Sequence, residues 1–185
     1  MRKILLLLCL ALSLFALQND KDMLSGELKN GLKYYIKENK LPQNTAIFYL
    51  VVNSGSTDER DGEQGLAHFL EHMAFNGSRD FSKNELIKQL ESLGVKFGAD
   101  LNAQTSYDQT SYTLSINVNE KNLKDVFKVF SNWIDGVKID AGELDKERGV
   151  IMEEERQRNT PAYRLYLAQS KDIFAGSIYQ KRVPI

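Results

Sequence analysis

Both histidines of this chain fall on one helical turn, His68-Phe-Leu-Glu71-His72, and that placement limits the folds open to it more than any other feature. Residues four apart on a helix sit one above the other, so two imidazoles at that spacing can converge on one cation, with Glu71 beside it. Two histidines scattered at random over such a length would stand four apart only about once in a hundred cases, so chance explains the pair poorly. The bland alternative is a solvated polar helix face, but such faces carry mostly lysine, arginine and glutamate. Two imidazoles do not complete a catalytic metal site, which takes three protein ligands and keeps a fourth position open. The chain has no other histidine, and its one cysteine, Cys9, lies in a segment expected to be removed. The third ligand must then be a carboxylate, delivered by a distant element folded against the first.

Residues 63–75 show two stripes at helical period. Leu66, Phe69, Leu70 and Met73 form an apolar stripe expected to pack on a core, which would turn His68, Glu71, His72 and Phe75 toward a cleft. Asn76-Gly77 supplies the stop. The carboxylate is sought in residues 140–159, where Asp140-Ala-Gly-Glu143 reads as a capped helix start and Leu144, Val150 and Ile151 mark the expected buried stripe. Three adjacent glutamates compete there. Seven residues make nearly two turns, so Glu147 and Glu154 lie on one side, whereas Glu153 and Glu155 swing away by about 100°. A carboxylate aimed at an apolar interior needs a partner, and a divalent cation is one. Glu154 is therefore the expected ligand, and Glu147, one layer away, the expected acceptor that orients a histidine. An acidic solvated face is the alternative for both.

The remaining elements indicate an α+β fold, with helices layered on a mainly antiparallel sheet. Residues 28–37 read as a hairpin turning at Asn30-Gly31, and residues 45–53 as a buried strand. Ser82-Lys-Asn-Glu85 is a capping box opening a helix that runs to Leu93 and ends at Gly94. Residues 97–118 read as strand, turn, strand. Residues 120–134 carry Leu123, Val126, Phe127, Phe130, Trp133 and Ile134 at helical spacing, an expected core face. Thr160-Pro161 begins a last helix, whose apolar pattern continues through Leu165, Leu167, Ile173 and Phe174.

With 24 basic and 25 acidic residues intermixed, the chain lacks the concentrated basic face of a nucleic-acid binder, and peptide partners fit it better. Met1-Arg-Lys and the apolar run 4–16 have the form of a secretory signal peptide, taken as residues 1–18, although no clean A-x-A cleavage site is present. Export to a bacterial periplasm is expected, with an uncleaved membrane anchor still open. Without Cys9 no disulfide is available to the fold.

The stretch GLAHFLEHMAFNGS at 65–78 resembles the zinc helix of the pitrilysin-type zinc metallopeptidases, relatives of insulin-degrading enzyme and the mitochondrial processing peptidase, whose inverted motif is H-x-x-E-H. ERGVIMEE at 147–154 is similar to their third-ligand helix, and LNAQTSYDQTSY at 101–112 to their substrate-binding edge strand. The resemblance runs from about Leu28 to Ile185. It implies that His68, His72 and Glu154 hold one Zn²⁺, and that Glu71 is the general base of peptide-bond hydrolysis. N₂O ligation suits zinc, though cobalt or manganese could occupy it. The resemblance also implies that Asn102 and Ala103 lie on a sheet edge beside the metal, where an extended peptide or unfolded protein adds as a further strand. Read alone, residues 99–105 are a polar edge strand or loop. Family members continue through the rest of a zinc domain and a related second half. Residues 19–185 are accordingly expected to be the N-terminal portion of a zinc peptidase domain, completed by a second-half domain or partner chain. Two other readings stay open: a noncatalytic peptide-binding or scaffold subunit of the same fold, and a truncated product that binds zinc without turnover.

Overall fold

A computed structural model describes residues 20–185, so the expected signal segment and Cys9 lie outside the described residues. The chain divides after Gln43 into two units. The first carries an antiparallel hairpin, β1 (Met23–Glu27) paired with β2 (Lys33–Lys37). Gly31, at φ 87°, takes the left-handed conformation that Asn-Gly turns need. The first strand lies upstream of the expected 28–37 hairpin. Leu28 N donates to Leu32 O and Gly31 N to Leu28 O, so Leu28 already belongs to the turn.

The second unit, residues 44–185, holds the site. Its sheet is antiparallel and three-stranded, in the order β3 (Thr45–Val52), β5 (Thr110–Asn117), β4 (Leu101–Thr105). The helices are α1 (Leu66–Met73), α2 (Lys83–Ser92), α3 (Glu120–Asp135), α4 (Ala141–Arg158) and α5 (Pro161–Ile173). This is the expected α+β class. Helix starts sit where polar caps stand in the sequence. Ser82 and Glu85 form a reciprocal capping box, and Asn119, Asp140 and Thr160 each accept a backbone N–H three residues on.

The core lies on one face of the sheet. Tyr112, Leu114 and Ile116 of β5 point into it and alternate with half-buried Ser111, Thr113 and Ser115. Leu86 and Leu90 of α2 and Val126, Val129, Phe130 and Trp133 of α3 pack over them. Each such side chain, fully buried, contributes about 1.5–3 kcal/mol. Two expectations fail for one reason, the extent of cover. β3 is not a buried strand: only Leu50 is buried, while Ile47, Tyr49 and Val51 are exposed on the sheet's other face. On α3 the buried stripe is narrower than expected, since Phe127 and Ile134 are exposed; Phe127 meets Phe48 edge-on at 5.7 Å. On α5, Leu165 and Ile173 are exposed and Ser170 is the buried residue.

Candidate metal centre

Helix α1 is held at both ends by groups outside it. Its N-cap, Gly65, sits at φ 90° and has no side chain to offer. Glu59 acts in its place: Oε2 accepts from Gly65 N at 3.1 Å and Oε1 from Ala67 N at 2.9 Å. These are N–H groups that a helix start leaves unpaired, and a negative charge there also suits the helix dipole. Arg182 fixes Glu59 in turn, donating from Nε to Glu59 O at 2.8 Å and from Nη2 to Asp61 Oδ1 at 2.7 Å. The same loop lies on the β4–β5 turn, with Ser56 N donating to Ser106 O and Thr57 N to Tyr107 O. Gly55 permits that approach, because a Cβ there would fall 2.4 Å from Ser106 O and 2.6 Å from Tyr107 O. At the other end, Trp133 Nε1 donates to Ala74 O at 3.0 Å.

The face that α1 turns inward differs from the expected one. Met73 is buried, but Leu66 and Leu70 are 57% and 51% exposed, whereas His68 and Glu71 are each 7% exposed. The polar stripe faces the interior because α1 packs against α4 and β4, and both present polar groups to it. On α4 the inward line is Glu147, Ile151 and Glu154; Val150, expected in the buried stripe, is exposed.

Three potential ligand atoms converge there. His68 Nε2 and His72 Nε2 are 3.1 Å apart, and Glu154 Oε2 lies 3.6 Å from the first and 3.4 Å from the second. Ligands at about 2.0–2.1 Å around a tetrahedral zinc are separated by about 1.63 times that length, or about 3.3–3.4 Å. The donor set therefore fits such an ion in spacing as well as in chemistry. Glu147 Oε1 lies 2.8 Å from His72 Nδ1. A carboxylate only accepts, so Nδ1 carries the hydrogen and the lone pair of Nε2 faces the Glu154 oxygen. Two acceptors pointed at one spot need a shared proton or a shared cation. Burial holds His68 below the usual histidine range, and the Arg158 guanidinium adds to this against the pull of Glu154. That shift favours the neutral imidazole, the form that ligates. The two rings are supported unequally, since His68 Nδ1 is buried without a hydrogen-bond partner among the described residues.

Glu71 stands beside this cluster rather than in it. Its Oε2 accepts from Thr105 Oγ1 at 2.5 Å, and burial pushes its carboxyl above the usual range although that bond and His72 oppose the shift. Of the two residues expected to meet substrate, Ala103 is half-buried and faces α1, while the exposed Asn102 side chain donates to Gly98 O at 3.1 Å. Strand β4, which carries both, forms the sheet edge. Beside it opens a cleft of about 340 Å³, bordered by Glu71, His72, Phe75, Phe97, Ala103 and Glu147.

Three residues at this site escaped the sequence reading. Thr105 could have been placed from strand alternation, since Leu101, Ala103 and Thr105 share a face. Asn76 has in the sequence only the signal of a helix stop, yet its side chain reaches Glu147. Glu59 leaves no local signal, because it caps the helix from a loop several residues upstream.

The family profile of the insulinases, peptidase family M16, matches residues 34–171, and the chain belongs to that family. It is 40% identical over 167 residues to the probable zinc protease PqqL of Haemophilus influenzae, covering 90% of this chain and 18% of that protein. The crystal structure of the periplasmic protease PqqL from Escherichia coli superposes with a TM-score of 0.87 at 38% identity, over 91% of this chain and 19% of that one. A mutant of the ferredoxin protease FusC, solved in complex with Arabidopsis ferredoxin, superposes with a TM-score of 0.80 at 30% identity, over 87% of this chain and 18% of that one. The chain thus spans about a fifth of the length of these relatives. Among the described residues no helix is long and apolar enough to cross a membrane.

Proposed function

We propose that this chain carries the zinc-binding and proton-transfer centre of a metallopeptidase that hydrolyses peptide bonds. The observation that carries the reading is the triangle of His68 Nε2, His72 Nε2 and Glu154 Oε2, with sides of 3.1, 3.4 and 3.6 Å. These three residues would hold one Zn²⁺, with Glu147 fixing the His72 ring. Zinc held there supplies a Lewis acid that brings the pKa of a water to about 7 and polarises the scissile carbonyl. Thr105 engages Oε2 of Glu71, so Oε1 takes the proton from water and passes it to the leaving amine. Strand β4, with Asn102 and Ala103, pairs its free edge with the extended backbone of a peptide or unfolded protein, a mode that tolerates many sequences.

Residues 19–185 form in this reading the N-terminal portion of the zinc domain, and a second-half domain or partner chain supplies further substrate contacts; the greater length of the relatives supports this. Segment 1–18 directs export to the periplasm, in keeping with the periplasmic relative. The test is zinc content of the purified chain beside His68→Ala and Glu154→Ala. One zinc per chain is expected, falling below about a tenth in either variant. A wild-type chain without zinc, or variants that keep it, overturns the proposal.

A further inference from the structure

We infer that Asn76 is a positioning residue for the metal centre, holding Glu147 in place so that the His72 ring keeps the tautomer and orientation that leave Nε2 free for the cation. This rests on the zinc site proposed above and deepens it. Asn76 follows α1 and is 8% exposed. Its Nδ2 donates to Glu147 Oε2 at 2.7 Å and to His72 O at 3.1 Å, while Glu147 Oε1 accepts from His72 Nδ1 at 2.8 Å. The chain of bonds is closed: it starts on the His72 carbonyl, passes through Asn76 and Glu147, and returns to the His72 ring. One amide thus ties the histidine's backbone on α1 to the carboxylate on α4. Because the carboxylate only accepts, the amide must present its nitrogen, and both of its hydrogens are used.

The helix stop does not explain an asparagine here. The positive φ belongs to Gly77, at 135°, and Asn76 itself is not left-handed. What selects the residue is its donor. Glu147 is 8% exposed and has one oxygen on His72 and the other on Asn76. Without the amide, Oε2 would be a buried carboxylate oxygen lacking a donor, which is costly enough to turn the side chain toward water. That movement takes Oε1 from His72 Nδ1 and frees the ring. Loss of such support beneath a ligating histidine weakens metal binding by about 10- to 100-fold.

The experiment measures zinc affinity of the purified chain by competition with a chromophoric chelator, for wild type, Asn76→Ala, Glu147→Ala and the double variant. Asn76→Ala is expected to bind zinc at least about tenfold more weakly. Since Asn76 acts through Glu147, the double variant should bind within about twofold of Glu147→Ala, where a general structural defect would multiply the two losses. Asn76→Asp keeps the side-chain shape but sets an acceptor against Glu147; it should lose at least as much, and it decides the matter should the alanine variant fail to fold. Wild-type affinity in the Asn76 variants, or multiplied losses in the double variant, overturns the inference while the zinc site stands. A wild-type chain that binds no zinc overturns both.

Discussion

Glu59→Ala removes the carboxylate that stands in for an N-cap at the start of the histidine-bearing helix. Two backbone N–H groups lose their acceptor, Gly65 N at 3.1 Å and Ala67 N at 2.9 Å. Deleting an ordinary N-cap costs about 1 kcal/mol, and leaving a buried donor unpaired costs about 1–3 kcal/mol. Gly65 and Ala67 are half-buried, so water replaces part of the lost bonding. The expected destabilisation is therefore about 2 kcal/mol, or about 4–8 °C in Tm for a chain of this size. Glu59→Gln keeps one acceptor oxygen and should lose about half as much. Urea unfolding followed by Trp133 fluorescence measures this directly. Trp133 is the chain's only tryptophan, and its indole bonds Ala74 O at the far end of α1. Zinc affinity should fall together with stability, because an eight-residue helix is too short to persist by itself, and the two imidazoles converge only while it is formed. Unfolding of Glu59→Ala within about 0.5 kcal/mol of wild type, with zinc affinity unchanged, would show that Glu59 does not hold this helix.

At the reacting end of the site, Glu71→Gln should keep zinc at wild-type stoichiometry while peptide hydrolysis falls at least about hundredfold; undiminished hydrolysis at full zinc loading removes Glu71 as the base. Gly55→Ala forces a Cβ to within 2.4 Å of Ser106 O, a backbone atom that cannot rotate away. It should cost about 2–3 kcal/mol, read as a lower urea midpoint, and a loss under about 0.5 kcal/mol would mean that the loop yields freely.

Much of the fold was legible because its signals are local. Ser82 with Glu85, Asp140 and Thr160-Pro161 mark helix starts through contacts that span only a few residues. The pairing of His68 with His72, and of Glu147 with Glu154, follows from helical period alone. Period divides a helix into faces, however, without saying which face a neighbour will cover. Leu66, Leu70, Val150, Phe127 and Ile134 all belong to sound apolar stripes and all are exposed. Likewise residues 45–53 read as a buried strand, whereas β3 is covered on one face.

From its order of residues alone this chain determined that two imidazoles share one turn of helix and that an acid on a second helix is aimed with a companion one layer away. Only the tertiary structure decided that the polar stripe of α1 turns inward, that Thr105 meets Glu71, that Glu59 caps the helix, and that Asn76 closes the bonds around His72. The physical reason is that a buried charge is tolerable only where donors and acceptors from other segments satisfy it. Thr105 and Asn76 lie 34 and 71 residues away from the carboxylates they serve, beyond the reach of any local period.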